Sequence, residues 1–313
     1  MENPNKDPIS LTLEAGERLD VSLAKALSMS RSAITKEIKA GRVTSNGIVL
    51  DKASHVLKEE TKVLYTPLPP VKNEVLKPKE KVAIDYVYRD DDIAVINKER
   101  GMVVHPAPGH YDDTLVNYLA SEDEKFDFDS EEKETLRPGI VHRIDKDTQG
   151  LLCVAENAES QSVLQNEIRE HDFHREYFAL VYGNVLDRKF RIDVPLTRPN
   201  HSDHKAEVDP IKGRKAVTHC ELVSTNGQVS LLKCSLETGR THQIRAHLAY
   251  IGFPIVGDPL YCPRKERMAN KGQALTAFKL TLIHPRTLKK MTFYAPLDSY
   301  FKKLLMFYFG PKK

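Results

Sequence analysis

Hydrophobic and polar positions change their rhythm along this chain. Leu19, Leu23 and Leu27 recur every four residues, the one-sided stripe of an amphipathic helix. A second short helix is expected next, with Ser30 placed to cap its start, Ile34 and Ile38 as its apolar edge, and Gly41 suited to the left-handed residue past its end. Val43-Thr44-Ser45 and Ile48-Val49-Leu50 then flank Asn46-Gly47, the strongest short-range hairpin signal. Helix, helix and hairpin make one small module. The stretch 66–79, with Pro67, Pro69, Pro70 and Pro78, reads as a semi-rigid extended linker.

From Ile84 onward the pattern becomes short apolar runs separated by turns: Tyr86 to Tyr88, Ile93 to Ile96, Met102 to Val104, Leu151 to Val154 and Tyr177 to Tyr182. Later runs are Val217 to Val223, Val229 to Cys234 and Ala277 to Ile283. Asn157 is placed to cap a helix reaching Glu170, with Val163, Leu164 and Ile168 as its buried edge. Many short strands with few helices predict an α+β fold and not a parallel doubly wound sheet.

Composition narrows the classes. A length of 313 residues allows roughly two domains. The balance of 47 Lys+Arg against 44 Asp+Glu leaves only +3, so the placement of charge matters more than its sum. Arg31, Lys36, Lys39 and Arg42 cluster on and just after the second helix with few acids close in sequence, which reads either as a nucleic-acid face or as a solvated helix surface. Residues 121–135 are strongly acidic, as in a surface loop kept away from phosphates. The N-terminus lacks a secretory pattern, and no apolar run approaches the roughly 18 residues of a membrane helix. Cys153, Cys220, Cys234 and Cys262 form no C-x-x-C pair, which points to reduced thiols in a cytoplasmic protein. No two glycines stand two apart, so G-x-G-x-x-G is impossible, and Asp258 occupies the position after Gly257 where a P-loop needs lysine.

Two segments are dense in chemistry. In His142-Arg143-Ile144-Asp145-Lys146-Asp147-Thr148-Gln149-Gly150, carboxylates lie among cations just before an apolar strand. A carboxylate so placed stays ionised and can act as nucleophile or base, and the positive surroundings suit a polyanion. Spacing alone favours a loop of surface ion pairs, and it does not separate Asp145 from Asp147. A kinase catalytic loop is excluded, because Ile144 intervenes between Arg143 and Asp145 and no glycine-rich loop lies upstream. Thr238-Gly239-Arg240-Thr241-His242-Gln243-Ile244-Arg245-Ala246-His247-Leu248 supplies many donors, as a wall facing phosphates or a base edge would. The alternative is a polar helix start capped by Thr238 or Thr241, with His247 on a packed face. No third ligand cluster accompanies His242 and His247, so no metal site is expected.

Arg137 to Thr148, Thr238 to Arg245 and Ile255 to Tyr261, in that order, resemble the successive motifs of the RluA/RluD family of large-subunit ribosomal RNA pseudouridine synthases. Arg18-Leu19-Asp20 through Asn46-Gly47 resembles the S4 RNA-binding domain. The resemblance implies an N-terminal extension 1–14, an S4-like domain 15–65, a Pro-rich linker 66–82 and a catalytic domain 83–313 built on a mixed, largely antiparallel sheet. It implies isomerisation of uridine to pseudouridine in RNA, without cofactor or metal, by a monomer. By position it makes Asp145 the catalytic aspartate, Arg240 its cationic partner and Tyr177 the aromatic that stacks on a flipped base, while Arg143 fills the gap that the base leaves. His142, Arg143 and Arg245, with Arg31, Lys36, Lys39 and Arg42 of the S4-like module, are then expected RNA contacts. The chain departs from the family pattern at Glu99, where proline is usual, at Thr276, where histidine is common, and loosely over Leu196 to Ser202. The competing expectations are a non-catalytic RNA-binding or ribosome-assembly factor on the same fold, and a hydrolase using Asp145 and Asp147 as a carboxylate pair.

Overall fold

The structure, a computed structural model, describes residues 8–27, 29, 31–66, 82–106, 110, 112–122, 139–198, 205–262, 264 and 269–311. The chain divides into two compact units at residues 72/73.

The first unit runs β1 (Ile9–Leu13), α1 (Leu19–Ala26), α2 (Arg31–Lys39), β2 (Val43–Ser45), β3 (Ile48–Val49) and β4 (Thr61–Tyr65). Its antiparallel sheet has the order β1-β4-β2-β3. Leu19, Leu23, Ile34 and Ile38 are fully buried against Val43 and Val63, so the four-residue stripe is the face that closes on the sheet. Asn46 and Gly47 both take positive φ, 50° and 77°, the two-residue turn whose twist matches the strands it joins. Gly41 is left-handed (φ 75°), as expected past α2; Ser30 lies outside the described residues. One expectation needs correcting, because acids do stand beside the basic cluster. Asp20 accepts from Arg31, eleven residues away, at 2.9 Å, and Glu37, inside the cluster, from Arg42, five residues away, at 2.8 Å. Lys39 is exposed, and the side chain of Lys36 lies outside the description.

The second unit contains β5 (Tyr86–Arg89), β6 (Ile93–Lys98), α3 (Leu115–Glu122), β7 (Gln149–Ala155), α4 (Ala158–Glu170), β8 (His174–Tyr182), β9 (Lys189–Asp193), β10 (Leu196–Thr197), β11 (Glu207–Val208), β12 (Val217–Thr225), β13 (Val229–Leu236), α5 (Gln243–Tyr250), β14 (Leu275–Ile283), β15 (Lys290–Tyr294) and α6 (Ser299–Phe309). Its main sheet has the order β5-β6-β7-β14-β8-β13-β12-β9, with β15 also paired to β14. Only β7 and β14 run parallel; the other pairs are antiparallel. This is the mixed, largely antiparallel α+β sheet that was expected.

All seven residues of β7 are buried, which is why that strand reads as a continuous apolar run and not as an alternation. Gly150, with φ 122°, makes its junction with β14 possible: a Cβ there would overlap the backbone of Ala277, whose nitrogen would lie 2.8 Å away. Asn157 caps α4 through a bond from Ser160 N (2.8 Å), and α4 ends at Glu170 before left-handed His171. Met102 to Val104 is not a strand; only Val103 bridges Thr114. The ammonium of Lys98 draws the carbonyls of Glu99 and Met102 inward (2.6 and 2.9 Å), which curls this segment out of any ladder. Of the acidic stretch only Ser121 and Glu122 are described, as the last residues of α3. The four cysteines are free and buried, and Cys220 and Cys234, far apart in sequence, face each other across β12 and β13 with Sγ atoms 3.7 Å apart. No described helix is long and apolar enough to cross a membrane.

Candidate active site

Asp145 sits on the loop that enters β7, and the backbone around it is tied down on both sides. Lys98, at the end of β6 and 1% exposed, donates to the carbonyl of Lys146 at 3.0 Å as well as to those of Glu99 and Met102. Gly101 N donates to the same Lys146 carbonyl, and Thr148 N to that of Asp145. Burial, and then the neighbouring Arg100, lower the pKa of Lys98 to about 7. Ile144, buried, anchors the residue before the aspartate.

The loop turns its two acids into different places. Asp145 lines a narrow cleft of about 70 Å³ with Tyr177, Arg175, Arg240, His242 and Arg245. Asp147 lines a separate, larger cavity of about 610 Å³ with Arg100, Lys271 and Tyr300. Its backbone carbonyl accepts from Arg100, which also bonds Gln273 O (2.7 Å) and Asp298 (3.0 Å). The two carboxylates therefore do not share a site, which removes the carboxylate-pair hydrolase.

The second dense segment supplies the wall opposite Asp145. Gln243 organises it: its amide nitrogen donates to Val217 O and Thr218 Oγ1, and its amide oxygen accepts from Thr238 Oγ1 and Arg240 N. The segment is thereby fixed to β12 just where α5 begins. Neither threonine caps the helix; the N-cap is His242, left-handed at φ 54° and without a side-chain cap bond. His247 is the packed histidine, bonded to Thr218 Oγ1 and Val194 O.

Within α5, Arg245 projects inward. Its Nη1 lies 2.9 Å from Asp145 Oδ2, while Nε and Nη2 grip Asp258 at 2.7 and 2.9 Å. Asp258 is held in turn by the amides of Leu260 and Tyr261. Burial opposes the charge on Arg245, but the carboxylates of Asp258 and Asp145 more than offset it and raise its pKa. His242 Nε2 is 3.9 Å from Asp145 Oδ1, and burial lowers this imidazole to about 4, so it faces the aspartate as a neutral ring. Its Nδ1 lies 3.2 Å from the Tyr261 hydroxyl.

Three assignments change. Arg240 is not the partner of Asp145: it precedes the helix, and its Nε donates to Lys215 O at 3.0 Å. Arg245 takes that place, its Nε, Nη1 and Nη2 being engaged by Asp258 and Asp145 where an RNA contact was expected. His142, also expected to contact RNA, is engaged within the fold. It is buried, its Nε2 accepts from Cys153 N (2.9 Å), and its ring meets Phe173 edge-on at 5.0 Å, so it fastens the loop to β7. Arg143 is exposed, with Nη1 3.0 Å from His105 Nε2, and Tyr177 lines the cleft from β8 with its hydroxyl pKa raised by burial. Asp258, His242 and Tyr261 had no role assigned from sequence; the run Gly257-Asp258-Pro259 was the only signal for Asp258.

Elsewhere, Asp90, Asp92 and His284 bring three possible metal-ligand atoms within 4.8 Å of one another. They are engaged as a structural network: Arg286 binds Asp92 through two nitrogens at 2.7 Å, and Asp90 accepts from Tyr88, two backbone amides and His284.

Comparison with known proteins identifies the family. Residues 92–250 match the family model described as RNA pseudouridylate synthase, and residues 17–63 match the S4 domain. An uncharacterized RNA pseudouridine synthase of Bacillus subtilis is 41% identical over 293 residues, covering 93% of this chain and 94% of its own. A protein of Zymomonas mobilis named ribosomal large subunit pseudouridine synthase D is 37% identical over 309 residues, covering 93% and 94%. In fold, the chain resembles the human RNA pseudouridylate synthase domain containing 4 structure, with a TM-score of 0.57 at 21% identity over 71% of this chain and 91% of that one. Identity of this extent places the chain in the RNA pseudouridylate synthase family, isomerases that act on RNA, with an S4 domain preceding the synthase region.

Proposed function

We propose that this enzyme converts uridines of large-subunit ribosomal RNA to pseudouridine, with Asp145 as the catalytic carboxylate and the target nucleotide flipped out of its stack to reach it. One observation carries the reading: Asp145, alone of the two loop acids, shares a cleft with Tyr177 and is bonded to the buried Arg245. The reaction breaks N1–C1′ and forms C5–C1′; a proton leaves C5 and N1 gains one. Atoms and electrons balance without an oxidant or co-reactant. A stacked base leaves no room to reach the N1–C1′ bond or to turn the detached ring, so flipping is required. Arg245 fixes the carboxylate toward the cleft, and the Tyr177 ring offers a face on which the detached pyrimidine can turn while staying bound. Arg143, exposed beside the cleft, is suited to the space vacated by the base. The RNA class is that in the names of relatives such as the Zymomonas protein.

We assign residues 15–65 to RNA binding, 66–82 to a tether and 83–313 to catalysis, in a cytoplasmic enzyme. Mapping pseudouridines in the ribosomal RNA of cells lacking the protein tests the proposal. It expects specific sites to revert to uridine and to be restored by the wild-type protein but not by Asp145→Asn. Unchanged maps would favour a binding or assembly factor instead.

A further inference from the structure

Arg175 and Arg240 stand out among the cations of the second unit. Both line the Asp145 cleft, and both also line an adjoining cavity of about 440 Å³, together with Arg169, His171, Glu237 and Gly239. Arg175, on β8 two residues before Tyr177, is 7% exposed, and its Nε is buried without any hydrogen-bond partner. Among the described residues no carboxylate pairs with it; its guanidinium lies near the Phe173 ring, 5.8 Å from the centroid, and against Gly239, where a Cβ would come within 2.9 Å of Nη1. Arg240 likewise has no acid partner among the described residues, its Nε being spent on the carbonyl of Lys215. Burial and the nearby charge of Arg214 both weigh against its protonated form. A buried guanidinium is costly unless an anion meets it. Here a buried and a half-buried guanidinium converge where two cavities join; Glu237, the one carboxylate in the described lining of the larger, is bonded to His219 and pairs with neither arginine.

We infer that Arg175 and Arg240 form a phosphate subsite that grips the RNA backbone at a linkage flanking the flipped uridine, in the cavity beside the Asp145 cleft. This rests on the reading of Asp145 as the catalytic centre. A phosphodiester suits the site because guanidinium donors match its two free oxygens, and because a flipped nucleotide remains tethered through the phosphates on either side of it. Arg240, placed by sequence opposite the carboxylate, thus acts on the substrate strand. At Gly239 the backbone passes close over the Arg175 guanidinium.

The test uses the full-length enzyme and RNA oligonucleotides carrying a single neutral methylphosphonate at the linkage 5′ or 3′ of the target uridine. With unmodified RNA, Arg240→Gln and Arg175→Lys should raise KM about tenfold or more while changing kcat less, as loss of a charge-assisted contact predicts. For Arg240→Gln the salt dependence of binding should also fall by about one phosphate's share. With wild-type enzyme, one of the two methylphosphonates should raise KM by a similar factor, and at that linkage alone Arg240→Gln should add little further. Independent, multiplicative losses at both linkages, or an unchanged KM in Arg240→Gln, would overturn the subsite. Arg240 is only half-buried, so this variant is expected to fold even if Arg175 variants do not. If wild-type enzyme forms no pseudouridine at all, the underlying reading of Asp145 fails instead.

Discussion

The Asp145–Arg245–Asp258 chain makes a quantitative demand on stability. Arg245→Met keeps the length of the side chain but removes three charge-assisted bonds, leaving Asp258, with a side-chain exposure of 0%, and Asp145, with 17%, without the cation bonded to them. Breaking a buried pair from one side costs about 3–5 kcal/mol, because the remaining charge is left buried and uncompensated. Most of that cost falls on Asp258, since Asp145 retains contact with the cleft. In a unit of this size it corresponds to a drop in Tm of roughly 6–20 °C. Arg245→Lys keeps the charge but cannot reproduce a two-nitrogen grip on Asp258 and a third bond to Asp145, so it should fall between wild type and Met. Arg240→Met removes only a solvent-facing carbonyl contact and should cost less than about 1 kcal/mol. Urea unfolding of the three variants, followed by tyrosine fluorescence, measures the comparison. Equal destabilisation by Arg240→Met and Arg245→Met would refute the pairing described here.

Other expected outcomes follow from the same coordinates. Gly150→Ala should destabilise by about 2–4 kcal/mol in thermal melts, because the new methyl overlaps the Ala277 backbone and the φ of 122° disfavours any side chain; a melting point unchanged from wild type would count against the β7–β14 junction. Lys98 has a pKa of about 7 in the fold against 10.5 for a free lysine, so between those values the unfolded chain binds the extra proton and folding gains as pH rises. The stability of wild type relative to Lys98→Met should therefore climb from pH 7 to 9 by up to about 1.4 kcal/mol per pH unit, and a flat difference would contradict the buried amine. Deleting residues 1–72 should weaken RNA binding and flatten its salt dependence while the second unit stays folded, as filter binding at several salt concentrations would register.

The legible parts of the fold were those where one face dominates. The stripe of Leu19 and Leu23, the Asn46-Gly47 turn and the Asn157 cap depend on neighbours in sequence, and each is where it was expected. β1 and β4 were not foreseen, because both are short, β1 is mostly exposed, and they pair with each other across some fifty residues. α5 was ambiguous because its buried face carries Gln243, Arg245 and His247, which are satisfied by β12, by Val194 and by the carboxylates of Asp145 and Asp258 instead of forming an apolar stripe. The same fact explains the misplaced cation. Asp145 and Tyr177 could be named from motif and chemistry, but which of two arginines five residues apart meets Asp145 depends on where a helix starts. That start is set by a glutamine reaching across to β12. His142 misled for a related reason: a polar residue in a polar motif, it is turned inward by its bond to the amide of Cys153.

The central claim is that Asp145 performs the chemistry and Asp147 does not. Release of tritium from RNA labelled at C5 of uridine reports it directly, since forming the C5–C1′ bond expels the C5 hydrogen. Asp145→Asn, shown to be folded by its melting curve, should release none above background, whereas Asp147→Asn should release tritium at a rate close to that of wild type. Release by Asp145→Asn at the wild-type rate would contradict the account.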